Sequence, residues 1–214
     1  MGRRALRKID PALDLSPFLK TPDELPRPFC ANTLFGRDAP LEVEVGSGKG
    51  LFMNSAATAN GDHNFLGIEV SHKYARFAAA RLAHNGLTNA VMVDGDAVPL
   101  LREWLPDASV AAVHVYFPDP WWKKRHEKRR VLQEPFLKDI QRVLVPGGSL
   151  HYWTDVKERF EETIPLIQNV TSLTGPLEVP EKPPEHDLDY RTHFERRMRK
   201  HGEPVYRSEF RKDA

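Results

Sequence analysis

From Leu41 onward the chain alternates short apolar strands with amphipathic helices, and that alternation leaves few folds open. LEVEV (41–45) places Leu41, Val43 and Val45 on one face, then breaks into GSGKG and a helix-like LFMNSAATA. NFLGIEV (64–70) predicts a second strand, and SHKYARFAAARLAHNG a helix capped at Gly86. AVMVDGDA (90–97) predicts a third strand, with PLLREWL a short helix after it. SVAAVHVYF (109–117) is the most apolar run and suits a central strand buried on both faces. A helix in EPFLKDIQRVL, stopped by Pro146-Gly147-Gly148, precedes a fifth strand in SLHYWTD (149–155). Residues 156–169 and RTHFERRMRKHG read as helices, and PVYRSEF as a last strand. These patterns predict an α/β fold with a doubly wound, mostly parallel sheet flanked by helices, spanning residues 41–214. The first 40 residues, with six prolines, read as a partly disordered arm with a short helix near Pro28–Leu34. The Pro-rich stretch at 175–187 reads as a mobile loop.

A length of 214 residues with 40% hydrophobic residues suits one compact domain. One cysteine, Cys30, excludes an internal disulfide framework and a multi-cysteine zinc site, which favours a reducing compartment. No run of about 18 apolar residues occurs, and the basic N-terminus is followed by no apolar stretch, so a soluble, cytoplasmic protein is expected without membrane contact. The nine histidines show no ligand spacing, and no metal is expected. The net charge of +1 argues against a nucleic-acid partner until it is divided by segment. Residues 1–8 hold four bases and no acid; residues 122–130 hold six bases and one acid; residues 190–212 hold eight bases and three acids. The remaining body is therefore acidic. Concentrated basic segments attract a polyanion, although such runs also occur as solvated faces.

Ligands of open α/β sheets bind beyond the carboxyl ends of the strands, and here those ends are acidic: Glu44, Glu69, Asp94 with Asp96, Asp119 and Asp155. The glycine loop, beginning at Gly46, permits close backbone approach to a ligand. A dinucleotide fingerprint would want a third glycine where Leu51 stands, and Glu44 with the acidic rim would repel a pyrophosphate. S-adenosylmethionine, which presents an ammonium, a sulfonium and a ribose diol, fits such a rim. Glu69, 23 residues after Gly46, has the spacing of an acid that bonds both ribose hydroxyls. Asp96 with Ala97 would hold the adenine edge, and Glu44 or a loop-held water the methionine amine.

After the most apolar strand comes FPDPWWKKRHEKRR (117–130). Two prolines restrict the backbone around Asp119, with aromatic rings on either side and phosphate-neutralising bases immediately beyond. Together with EVGSGKG, FLGIEV, VDGDA, PGG, WTD and YRTHFERR, in that order over about residues 41–200, this segment resembles the bacterial tRNA (guanine-N(7)-)-methyltransferases. The resemblance implies a Rossmann-like class I methyltransferase fold and a product, 7-methylguanine, at nucleotide 46 in the variable loop of tRNA. It implies S-adenosylmethionine contacts at Glu44, Gly46, Glu69, Asp96 and Asp119, with Asp119 catalytic. It further implies tRNA-guanine contacts by Lys123, Asp155, Thr192 and Glu195. The first 40 residues match poorly.

Three other readings stand beside it. Amino-group methyltransferases acting on adenine or cytosine carry a D-P-P-aromatic strip, and here Trp121 replaces the second proline. A catalytically inactive tRNA-binding subunit would have no need of Glu44, Glu69, Asp96 and Asp119. A dehydrogenase is disfavoured by Leu51 and the acidic rim. Either a monomer or a homodimer is compatible with the sequence.

Overall fold

The computed structural model describes residues 6–180 and 190–213. Eight strands form one sheet: β1 (Leu19–Lys20), β2 (Leu41–Val45), β3 (Asn64–Glu69), β4 (Ala90–Asp94), β5 (Val110–Tyr116), β6 (Leu144–Thr154), β7 (Thr174–Leu177) and β8 (Tyr206–Arg211). Their order is β1-β4-β3-β2-β5-β6-β8-β7. The first six run parallel; β8 is antiparallel to both β6 and β7. Strand order reverses at β2, which lies between β3 and β5, so the crevice between their carboxyl ends is the topological switch point. The doubly wound, mostly parallel sheet expected from the alternation is what the chain forms.

The two faces of the sheet differ in chemistry. On one, Val43, Val45, Leu66, Ile68, Val91, Val113, Val115 and Leu150 build an aliphatic core. Helices α4 (Ala97–Glu103), α5 (Glu134–Val143) and α6 (Lys157–Val170) cover it, contributing Leu100, Leu101, Phe136, Leu137, Ile140 and Ile167. The other face, under α2 (Leu51–Ala59) and α3 (His72–His84), packs Phe52, Met53, Phe65, Ala78, Leu82 and Met92 against Tyr116 and Trp153. Period-two alternation sends Glu42, Glu44 and His114 to this second face as well.

Three expectations change. The fold does not begin at Leu41: β1 adds an edge strand to β4, Leu25 and Phe29 join the aliphatic core, and α1 (Ala31–Phe35) follows them. Apolar burial by a few residues, with β1 only two residues long, leaves too short a period to read among prolines. Strand β6 starts at Leu144, so Pro146-Gly147-Gly148 does not end the helix but lies inside the strand, next to the irregular register between Val110 and Ala112. Of the expected Pro-rich loop, Thr174–Leu177 pairs with β8 as an edge strand, and residues 181–187 lie outside the described residues. So do residues 1–5 of the basic arm.

Candidate active site

The loop from Gly46 to Gly50 is tied down from both ends. Gly46 and Ser47 donate their N–H groups to the Ile68 carbonyl at 2.8 and 3.1 Å, anchoring the loop to β3. The Glu69 carboxylate reaches back to accept from Gly48 N–H at 2.8 Å through Oε2, and from Ser71 N–H at 2.8 Å through Oε1. Each carboxylate oxygen carries two lone pairs, so both retain acceptor capacity toward a diol. Gly50, at φ +66°, lies so close to α3 that a Cβ there would sit 2.6 Å from Ala78 Cβ. Gly67 is hemmed in equally: a Cβ would come within 2.7 Å of both Met92 Sδ and Ser47 Oγ. These two glycines set how closely loop and helices close on the strand ends.

Glu44, on β2 between Gly67 and His114, is only 3% exposed, and its Oε2 has no hydrogen-bond partner among the described residues. Burial pushes its pKa up to about 8; the Ser47 hydroxyl opposes the shift and the Glu69 charge adds to it. A buried, unsatisfied carboxyl beside a glycine loop is the kind of group a cationic ligand satisfies. Asp94 meets the His72 ring, and Asp96 caps α4, its Oδ1 accepting from Val98 N–H at 2.9 Å. The cap takes one of the two Asp96 oxygens.

Phe117 and Trp121 bracket Pro118-Asp119-Pro120 and both hold left-handed backbone, at φ 52° and 43°. Such conformations cost about 1–2 kcal/mol per non-glycine residue and persist where the surroundings enforce them. Here Phe117 N–H donates to the Trp153 carbonyl at 2.8 Å, while Trp121 is edge-on to His126 and faces the Arg129 guanidinium at 5.1 Å. Asp119 is thereby exposed on a fixed turn at the crevice. Lys123 is exposed at the start of the 3-10 turn Lys124–Arg129, and Trp122, 62% exposed, lies under the Arg159 guanidinium. Asp155 is half-buried directly after β6.

Thr192 and Glu195 form the start of α7 (His193–Lys200). Glu195 N–H donates to Thr192 Oγ1 at 3.0 Å, and Glu195 Oε2 accepts from Arg191 N–H at 2.7 Å. Glu195 Oε1 pairs with Arg199 at 3.2 Å and Arg207 at 3.4 Å, and the residue is 2% exposed. The family resemblance implies Glu195 as a guanine contact; in the structure its carboxylate is engaged by Arg191 N–H, Arg199 and Arg207 at the helix start. The Phe117 and Phe194 rings stack at 5.9 Å, joining that helix to the Asp119 turn. Glu44, Gly46, Glu69, Asp96 and Asp119 thus lie at or just beyond the carboxyl ends of the adjacent strands β2 to β5, with Asp155 at the end of β6 and α7 joined to the Asp119 turn through Phe194. No three His, Cys, Asp or Glu among the described residues converge as a metal site, and no helix there is long and apolar enough to cross a membrane.

Three further side chains, His114, Tyr116 and Arg191, are joined to one another and pack against Phe52 of α2. The signal for them in the sequence is His114, a polar side chain inside the otherwise apolar run SVAAVHVYF.

A doubly wound sheet with a glycine loop and acidic side chains at its switch point is that of a class I methyltransferase. Among solved structures, the 16S rRNA methyltransferase KamB superposes with a TM-score of 0.61 at 16% identity, covering 86% of this chain and 92% of that one. The antibiotic-resistance methyltransferase Kmr gives 0.56 at 18% identity, covering 82% and 88%. At such identities the likeness concerns the fold. Residues 38–208 match a family described as "Putative methyltransferase". A tRNA (guanine-N(7)-)-methyltransferase of Rhodopirellula baltica is 52% identical over 99% of this chain and 80% of its own length. One of Yersinia pestis is 38% identical over 84% and 75%. The chain belongs to the tRNA (guanine-N(7)-)-methyltransferase family.

Proposed function

We propose that the protein methylates N7 of a guanine in tRNA, at position 46 of the variable loop, with S-adenosylmethionine as methyl donor. The observation that carries the donor is Glu44, a buried carboxyl with an unpartnered oxygen beside a glycine loop, in a crevice lined by further carboxylates. That donor set suits an ammonium and a ribose diol and opposes a pyrophosphate. Glu44 would bind the methionine ammonium, Glu69 the ribose hydroxyls, Asp96 the adenine edge, and Gly46 would let the backbone approach. When bound, S-adenosylmethionine supplies an electrophilic methyl group on a sulfonium.

The protein's own work is positioning and charge management. Guanine N7 carries a free lone pair, so no side chain need remove a proton before attack. As the ring acquires positive charge, the fixed Asp119 carboxylate has the sign that stabilises it. Asp155 accepts from the guanine N–H edge, which adenine does not present in the same pattern. Lys123 meets the guanine carbonyl or a phosphate. Thr192 and Glu195 hold the start of α7 against the base, Glu195 mainly by organising that turn, since its oxygens already serve Arg191, Arg199 and Arg207. The partner is tRNA, and the exposed bases Lys123, Arg125, Lys128 and Arg129 neutralise its phosphates. A cytoplasmic location follows from that substrate.

Methyl transfer from labelled S-adenosylmethionine to an unmodified tRNA transcript tests this reading. Incorporation is expected, and is expected to vanish when the variable-loop guanine is replaced by adenine. Equal incorporation into both transcripts would overturn it.

A further inference from the structure

A chain of hydrogen bonds crosses the α2 face of the sheet and ends at the turn that starts α7. His63 Nδ1 lies 2.7 Å from Glu42 Oε1, and His114 Nε2 lies 2.6 Å from Glu42 Oε2. His114 Nδ1 lies 2.9 Å from the Tyr116 hydroxyl, which accepts from Arg191 Nη1 at 3.3 Å. Arg191 in turn donates its backbone N–H to Glu195. His114 and Tyr116 are 2% and 5% exposed, in a strand whose other inward positions are valine and alanine.

The direction of the protons follows from chemistry. An ionised Glu42 only accepts, so His114 donates to it from Nε2 and leaves Nδ1 as an acceptor. Tyr116 O–H then donates to Nδ1, and its oxygen is free to take the Arg191 proton. Every donor in the series has an acceptor only in this one orientation. Burial opposes ionisation of Glu42, yet the hydrogen bonds from His114 and His63 outweigh it and hold the carboxyl below its ordinary value. Burial also lowers His114 below its ordinary value despite the Glu42 carboxylate, consistent with a neutral ring. The rings pack as a unit: Phe52 lies 4.5 Å from His114 and 5.1 Å from Tyr116, and His151 stacks on His114 at 4.8 Å. The Arg191 guanidinium lies over Trp153 at 5.2 Å and Phe52 at 5.8 Å. A buried polar series of this length is costly unless fully satisfied, and one that is satisfied specifies a single arrangement.

We propose that Tyr116 and Arg191 are positioning residues for the guanine site: the Glu42–His114–Tyr116 series fixes Arg191, and Arg191 fixes the Thr192–Glu195 turn. Neither residue touches the reacting atoms. The role assigned to that turn rests on the tRNA-guanine reading above, whereas the anchoring of α7 does not.

Tyr116→Phe removes only the hydroxyl and keeps the ring's packing. Arg191→Met keeps an apolar stem over Phe52 and Trp153 without the guanidinium. Amide hydrogen exchange in residues 190–200 is expected to quicken about tenfold in either variant, with α3 unchanged. The KM for tRNA is expected to rise about fivefold, kcat to fall less, and the Kd for S-adenosylmethionine to stay within about twofold. The double variant should be no worse than the poorer single one, because both cut the same series. Wild-type exchange in α7 and a wild-type KM in Tyr116→Phe, or fully additive losses in the double variant, would overturn the proposal and leave the function intact. A wild-type protein that does not methylate tRNA, but whose α7 still loosens in Tyr116→Phe, would uphold the anchoring and sink the functional reading.

Discussion

The Phe117 and Phe194 rings stack with centroids 5.9 Å apart and planes 17° from parallel, linking the Asp119 turn to the helix that begins at Thr192. Phe117 is also bonded through its N–H to Trp153, two residues before Asp155. A single residue in left-handed backbone therefore couples three candidate functional segments, which explains how an exposed loop carboxylate can be held in one position.

Asp119 is exposed and makes no packing contribution to the core, so its removal tests chemistry in isolation. Asp119→Ala is expected to lower kcat by about 100-fold or more, with urea stability and tRNA affinity close to those of the wild type. Single-turnover kinetics with saturating tRNA read this directly, and a wild-type rate would remove Asp119 from the mechanism.

Glu44 makes stability depend on pH. Its folded pKa, about 8, lies above the ordinary 4.5. The folded state therefore binds the proton more tightly than the unfolded chain. The stabilisation is complete below about pH 4.5, declines as pH rises, and is lost above about 8, a change on the order of a few kcal/mol. Urea melts of the ligand-free protein should show this decline between pH 5 and 8 more steeply than melts of Glu44→Gln. An ammonium docking on Glu44 favours its ionised form. Titration with S-adenosylmethionine near pH 7 should release about one proton, seen as a heat that varies with buffer ionisation enthalpy and absent in Glu44→Gln.

Much of this architecture is legible in the sequence. LEVEV, NFLGIEV and SVAAVHVYF become β2, β3 and β5 almost to the residue, because buried parallel strands are short apolar runs bounded by glycine and acid. Residues 6–40 were harder to read, since Leu25 and Phe29 are single apolar anchors whose burial depends on surfaces formed far away in the chain. Strand β7 was hidden by Gly175 and Pro176, which mark a loop unless an antiparallel neighbour such as β8 is already there. In the site, the acids at the strand ends were visible as a group. The internal bonding of Glu195 was not, because Arg207, which shares its Oε1 with Arg199, reaches it only once β8 has folded beside α7.

Gly67 is a packing constraint with a functional consequence. A methyl group there would press on Met92, Met53 and Ser47, and Ser47 is bonded into the glycine loop. The thioethers can yield, but the loop cannot shift without disturbing the Gly48 bond to Glu69. Gly67→Ala should destabilise by about 1–3 kcal/mol and weaken S-adenosylmethionine binding, both measurable by urea melts and calorimetry.

The basic turn after Trp122 divides by its partners. Arg130 pairs with Glu127 and Glu162, and Arg129 faces Trp121, whereas Arg125 and Lys128 are exposed. Replacing Arg125 and Lys128 by glutamate should weaken tRNA binding and reduce the slope of log affinity against log salt by roughly 0.7–0.9 for each phosphate that is no longer neutralised. Arg130→Glu should act chiefly on stability. An unchanged slope in the first variant would assign that turn to solvent.

The site of methylation separates a ring-nitrogen enzyme from an amino-group enzyme of the same fold. Unmodified tRNA methylated by the protein with labelled S-adenosylmethionine, digested and mapped by mass spectrometry, should carry one 7-methylguanine, in the variable loop. A methyl group on an exocyclic amino nitrogen, or no methyl group in tRNA, would contradict the account.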